Sequence, residues 1–107
     1  MAEKILLALS TFPDGDTARR ISNEVVTERF DACANILPAV ESIYRWKGKV
    51  ESADEVLGIF KLDAQRYREF EMKLRALHPY DVPEITSCKI DNGLPEYLRW
   101  VTESCAT

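Results

Sequence analysis

The chain has 107 residues, enough for one hydrophobic core and too few for two ordinary domains. Its 46% hydrophobic and 30% charged residues, with only four Gly and five Pro, exclude a fibrous or disordered chain. Eighteen acidic residues outnumber fourteen basic ones, for a net charge of -4 with no basic block, so nucleic acid is excluded as an expected partner.

A single domain is expected over residues 1–107. The longest apolar run, "ILLAL" at 5–9, is far too short for a membrane span or a secretory leader, so no membrane insertion and a cytoplasmic location are expected. Cys33, Cys88 and Cys105 form an odd set without a Cys-x-x-Cys pair, which suits reduced thiols better than a disulfide framework or a zinc ribbon.

The segment "EKILLALSTF" (3–12) predicts a first strand that is apolar on both faces. Pro13, Asp14 and Gly15 are turn and capping residues. Ala18, Ile21, Val25 and Phe30 then recur at helical spacing, which predicts a helix from about Asp16 to Phe30. From Cys33 to Leu62 the pattern is β-type, with a bend or bulge at Pro38, because proline cannot donate to a ladder. In "SIYRWKGKVE" the alternation puts Tyr44, Trp46, Gly48 and Val50 on one face and Ile43, Arg45, Lys47, Lys49 and Glu51 on the other. A polar turn, "SAD", is expected before "EVLGIFKL", and the whole reads as a long hairpin.

In "DAQRYREFEMKLRALH" a stripe of Tyr67, Phe70, Leu74 and Leu77 predicts a second helix, with Asp63 as N-cap and Pro79 as its stop. "PEITSCKI" (83–90) predicts a fourth strand, and "LPEYLRWVTESC" a third helix with Pro95 near its first position. The order βαββαβ plus a helix implies an α+β, ferredoxin-like fold: an antiparallel four-stranded sheet with two helices on one face. Those helices leave the other face bare, with leucine, phenylalanine and tryptophan exposed. At about 25 cal/mol per Å², a few hundred Å² of such surface predicts an obligate homo-oligomer, with the hairpin as the arm that reaches a neighbour.

Five separated words, "TFPD" (11–14), "ACAN" (32–35), "YRWKGKVE" (44–51), "HPYDVPEI" (78–85) and "YLRW" (97–100), occur in this order over almost the whole chain. Together they resemble the CutA family of divalent-cation tolerance proteins. The resemblance implies a ferredoxin-like fold, a homotrimer of PII-like architecture with strand edges joined between subunits, and a link to copper and other divalent cations. Two departures stand out. The third strand ends "FKL" where family members often have "LKT". The first strand ends Ser10-Thr11 where many have two threonines or a Cys-Thr pair, so it offers no thiol to a soft metal.

Candidate metal ligands are Cys33, His78 and Glu84. The imidazole of His78 suits Cu(II) or Zn(II), or an acid–base role, while its place at a helix end equally suits closing that helix on its terminal carbonyls. The thiolate of Cys33 suits Cu(I), though a free cysteine is as often a small buried hydrophobe. Packing is also the expectation for Cys88, and Cys105 reads as an incidental tail thiol. Asp81 and Glu84 offer hard oxygens, or simply a turn, with residue 82 held extended by Pro83.

Lys61, Tyr80 and Trp46 are candidates for a ligand cleft, and Tyr44, Trp46 and Trp100 for the trimer interface. Lys61, Lys49 and Arg45 would serve a PII-like sensor of anionic metabolites or a scaffold for a protein partner not yet known. Alternating charges on a strand are otherwise a solvated face. No nucleophile, base and orienting group are grouped in the sequence, so no enzyme and no organic cofactor are expected.

Overall fold

The computed structural model, which describes residues 4–107, runs β1 (Ile5–Phe12), α1 (Gly15–Thr27), β2 (Cys33–Trp46), β3 (Lys49–Asp63), a 3-10 turn (Ala64–Arg66), α2 (Tyr67–Leu77), β4 (Thr86–Lys89) and α3 (Pro95–Cys105). The strands form one sheet in the order β2-β3-β1-β4, with every neighbouring pair antiparallel. This is the ferredoxin-like arrangement expected from the order of elements.

Local chemistry sets the element ends. The carboxylate of Asp14 accepts the Thr17 N–H at 2.7 Å and so caps α1. The helix closes three residues earlier than its apolar spacing predicted. Arg29 takes φ 65, its N–H reaches the Val26 carbonyl, and the Phe30 N–H reaches Val25. That pair of bonds is the Schellman closure, here with arginine in the left-handed position that usually falls to glycine. Asp63 caps the 3-10 turn through the Gln65 N–H at 2.9 Å rather than capping α2 directly.

The core lies between the helices and one face of the sheet. Ala8 and Phe12 of β1 and Val56, Phe60 and Leu62 of β3 meet Ala18, Ile21 and Val25 of α1 and Phe70 and Leu74 of α2. Gly58 lies between the Phe12 and Phe60 rings, where an added Cβ would stand 2.9 Å from each. Cys105 belongs to this core and is fully buried, so it is no incidental tail thiol, whereas Cys88 is exposed on β4 instead of packed. The sheet's edge position explains both: β4 has a partner on one side only, and α3 carries Val101 and Cys105 inward.

The hairpin reverses at Lys47–Gly48, not at "SAD". Both turn residues have positive φ, 51° and 81°, the condition for a two-residue turn matched to strand twist. Ser52, Ala53 and Asp54 are ladder residues opposite Ile43, Ser42 and Glu41. The face assignment changes accordingly. Tyr44 stands opposite Glu51 and Trp46 opposite Lys49, while Val50 stands opposite Arg45 on the other face. A register shift between Leu37 and Val40 accommodates Pro38, as expected.

Beyond that bulge the two strands pair only with each other and project as an arm, giving a molecule of 47 × 25 × 22 Å. Ile43 and Val50 are 71% and 67% exposed, and Tyr44, Trp46 and Trp100 are each about two-fifths exposed. Three of the four phenylalanines do not contribute to this open surface. Phe12, Phe60 and Phe70 are all in the core.

At the entrance to β2, Asp31 is 1% exposed and neither carboxylate oxygen has a partner among the described residues. Burial pushes its carboxyl up to about 8, and burial likewise raises the neighbouring Cys105 thiol. The folded chain therefore binds a proton that the unfolded chain releases near 3.8, so this contribution to stability is present below that value and is lost as pH rises toward about 8. Asp31→Asn is expected to remove the loss, raising unfolding free energy at pH 9 by on the order of 5 kcal/mol with little effect near pH 4. Urea titrations at the two pH values check this, and an equal change at both counts against it.

Candidate ligand cleft

The corner that ends α2 is built around His78. The following Pro79 excludes helical backbone at residue 78, and His78 takes ψ 136 while its N–H still reaches the Leu74 carbonyl at 2.9 Å. Its ring is buried, lies stacked on Phe12 at 5.0 Å and 15°, and meets the Tyr80 ring at 4.8 Å. Nδ1 accepts the Tyr80 backbone N–H at 3.2 Å, which assigns the proton to Nε2. That N–H then donates to the Thr11 carbonyl at 2.8 Å. The imidazole ties α2's end to β1 rather than bonding its own helix's carbonyls. Burial holds its pKa below the usual histidine value, against the opposing influence of the Thr11 carbonyl and Glu55.

Next to it, the Tyr80 hydroxyl donates to Glu55 Oε2 at 2.6 Å, and burial together with that carboxylate raises the phenol above its ordinary range. Glu55 is 9% exposed and stands opposite Val40, just past the bulge. The register then puts Ala53, Ser42, Tyr44, Glu51 and Trp46 on the face that Glu55 shares.

This face and the segment 79–84 enclose an open cleft of roughly 800 Å³. Its lining includes the rings of Tyr44, Trp46 and Tyr80 and the carboxylates of Glu51, Glu55, Asp81 and Glu84. Among the described residues no lysine, arginine or histidine lines it. Glu84 also accepts the Thr86 hydroxyl at 3.2 Å.

Of the residues nominated from sequence, Tyr80, Trp46, Tyr44 and Glu84 come together here. Lys61 does not: it donates to Asn35 Oδ1 on β2 and lies outside the cleft. Cys33 stands opposite Lys61, which pairs with Leu7, whereas His78 meets Thr11, four residues along β1. At about 3.4 Å per residue that separates the two by more than 10 Å. Cys33, His78 and Glu84 therefore form no common cluster, and no group of three His, Cys, Asp or Glu placed to hold a metal occurs among the described residues. Trp100 is on α3 beside Tyr97, 5.6 Å between rings, away from the cleft.

The residue that sequence reasoning missed is Glu55. Its one signal was a carboxylate at the head of an otherwise apolar strand, "EVLGIFKL".

A βαββαβ sheet whose hairpin arm walls an acidic, aromatic cleft places the chain among ferredoxin-like α+β proteins with a site at the base of the arm. It belongs to the CutA1 divalent ion tolerance protein family, whose model matches residues 6–104. The divalent-cation tolerance protein CutA of Thermus thermophilus is 41% identical over 98 residues, 92% of this chain and 95% of that one. That of Thermotoga maritima is 37% identical over 100 residues, 94% and 98% of the two chains. Protein CutA of Mus musculus is 38% identical over 94 residues, 88% of this chain but 53% of its own length. Among solved structures, CutA from Xylella fastidiosa superposes with a TM-score of 0.93 at 39% identity, covering 95% of this chain and 98% of that one. CutA1 from Oryza sativa gives 0.94 at 31%, covering 98% and 96%.

Two outcomes test the corner. Tyr80→Phe is expected to cost about 1–3 kcal/mol of stability by leaving the buried Glu55 carboxylate without its donor, as measured by urea unfolding at neutral pH. His78 is expected to titrate below 6.5 when followed by NMR of its ring protons. Because the unfolded chain then binds the extra proton first, its contribution to stability is present above 6.5 and lost as pH falls below it.

Proposed function

We propose that this chain acts as a non-enzymatic, homotrimeric divalent-cation tolerance protein that binds copper or a related divalent ion. The observation that carries the proposal is the cleft, whose charged lining residues are all carboxylates. Such a lining concentrates cations and repels phosphates and carboxylates. Family membership supports the same reading, since its description names divalent ion tolerance.

Within one chain the carboxylates are not close enough to complete a metal's coordination shell. A second copy supplying further ligands would meet that requirement, and the arm's exposed Ile43, Tyr44, Trp46 and Val50 support such an assembly. Cys33 and Glu84 keep side chains available to a metal in this scheme. His78 would first have to give up Thr11 or Tyr80. The reading as a sensor of anionic metabolites has weaker support, because Lys61, Lys49 and Arg45 all lie outside the cleft lining. A cytoplasmic setting suits the three free thiols. No helix among the described residues is long and apolar enough to cross a membrane.

Native mass spectrometry is expected to give three chains per particle. Copper titration of the reduced protein by calorimetry is expected to give saturable binding that weakens about tenfold in Glu84→Gln, the size of effect expected when one charge-assisted ligand is lost. A stable single-chain particle removes the assembly. Copper affinity unchanged in Glu84→Gln, Cys33→Ala and His78→Ala removes all three proposed ligands.

A further inference from the structure

We infer that the cleft binds a linear polyamine, an aliphatic chain carrying several ammonium groups, laid along the inner half of the hairpin arm from Glu51 to Glu55. The inference rests on the reading of the cleft as a cation site and names an elongated organic cation as its occupant.

The register makes this site a trough. Glu51, Ala53 and Glu55 follow one another on one face of β3, with Tyr44 opposite Glu51, Ser42 opposite Ala53 and Val40 opposite Glu55. All of these but Val40 line the cleft. At about 3.4 Å per residue the two glutamates stand roughly 14 Å apart, too far for one metal ion or one small cation to meet both. Ser42 and Ala53 are the floor between them, two side chains small enough to leave a channel. The facing segment 79–84 adds the carboxylates of Asp81 and Glu84. The acidic groups are thus strung out along the cleft, and no three of them are gathered to hold a metal ion among the described residues.

A polyamine has the matching shape, with charges spaced along an extended chain and methylenes between them. Each ammonium meets one carboxylate in a pair that is weak by itself near solvent. Linkage makes the second and third pairs intramolecular, so the whole chain binds where a single ammonium does not. The methylenes pack over Ala53 and the Tyr44 ring, as lysine stems do on apolar surface. At the inner end Glu55 is nine-tenths buried and its Oε2 is held by the Tyr80 hydroxyl at 2.6 Å. Its field is therefore less screened than that of the exposed Glu51.

The chain's own cations mark where the trough ends. Lys47 stands 6.0 Å from the centroid of Trp46, Lys49 is opposite Trp46 in the ladder, and neither lines the cleft. The tip is basic and the run inward from Glu51 is acidic, so the ligand lies inward of Trp46 and does not touch it. A positive tip also repels a chain long enough to overrun the trough, which selects a short polyamine over a basic polymer. The volume of roughly 800 Å³ is within the range of small-molecule sites.

The test uses the full chain in its native assembly, with spermidine as probe and methylammonium chloride at matched ionic strength as the single-charge control. Calorimetry is expected to show saturable spermidine binding at least tenfold tighter than methylammonium. Glu51→Gln is expected to weaken it about threefold, the size of one surface ion pair, and Glu55→Gln by at least fivefold. Ala53→Leu, which fills the channel without changing charge, is expected to abolish it, while Trp46→Leu leaves it within about twofold. Should Glu55→Gln unfold, Glu51→Gln and Ala53→Leu on the exposed arm carry the test.

Equal affinity for spermidine and methylammonium, or unchanged spermidine affinity in Glu51→Gln and Ala53→Leu, overturns the inference, as does a neighbouring copy's segment filling the trough in a crystal of the assembly. Copper is titrated separately on the same proteins. Copper binding without spermidine binding sinks this inference and leaves the metal reading standing. Spermidine binding without copper binding does the reverse, and loss of both removes the cleft as a cation site.

Discussion

Lys47 and Gly48 both take positive φ, and the two-residue reversal they make fixes which side chains of the arm can meet. Pairing Trp46 with Lys49 carries through as Tyr44 with Glu51, Ser42 with Ala53 and Val40 with Glu55. Because strand side chains alternate, a slip of one residue would turn Tyr44, Trp46 and Glu55 to opposite faces and dissolve the cleft. The bulge at Pro38 matters for the same reason. It absorbs one residue of β2, so that the face carrying Cys33 and Leu37 near the sheet continues as the face carrying Val40 and Tyr44 on the arm. The turn and the bulge together set the register on which the site's composition depends.

The other wall is held by the corner after α2. His78 joins three elements: its backbone N–H caps the end of α2, and its neutral ring donates to β1 and accepts from the segment that carries Tyr80. Keeping the ring neutral is part of that arrangement, since a protonated Nδ1 would face the Tyr80 N–H as a second donor. Burial against Phe12 favours the neutral form. The residue that looked most like a ligand in the sequence is thus spent on positioning Tyr80, whose hydroxyl in turn orients Glu55.

Most of the fold was legible because it rests on periodicity and punctuation: Asp14 and Gly15 opened α1, Pro95 opened α3, and Tyr67, Phe70, Leu74 and Leu77 marked the inward stripe of α2. The hairpin turn was misread since Lys47–Gly48 lacks the asparagine or aspartate that usually announces such a turn, while "SAD" carries the polar residues of one. Cys88 and Cys105 exchanged roles for a tertiary reason. Burial of a cysteine depends on whether an element lies at the sheet edge or over the core, and spacing alone does not carry that. For the site, Tyr80 and Trp46 were readable as cleft residues and Glu84 as a separate metal-ligand candidate, and it is the register of the arm that brings them to one cleft. Lys61 was drawn in by the resemblance to a PII-like anion sensor, and Glu55 went unseen because its partner is 25 residues away.

The exposed arm and the acidic cleft are one continuous surface, so in the proposed assembly a neighbour and a ligand would meet the same residues. Tyr44 and Trp46 are at once apolar residues that a neighbour would cover and part of the cleft's lining. A copy that seats on the outer face, over Val50, leaves the cleft open. One that seats on Tyr44 and Trp46 competes with its occupant or completes its wall. By linkage, a cation favoured by one of these arrangements must shift the association equilibrium in the same direction by the same free energy. The four carboxylates sharpen that coupling. Bringing a second set of like charges to the arm without a cation between them would cost repulsion in a partly desolvated space, so under the proposed function the occupied cleft would be the state that tolerates close approach of another acidic chain.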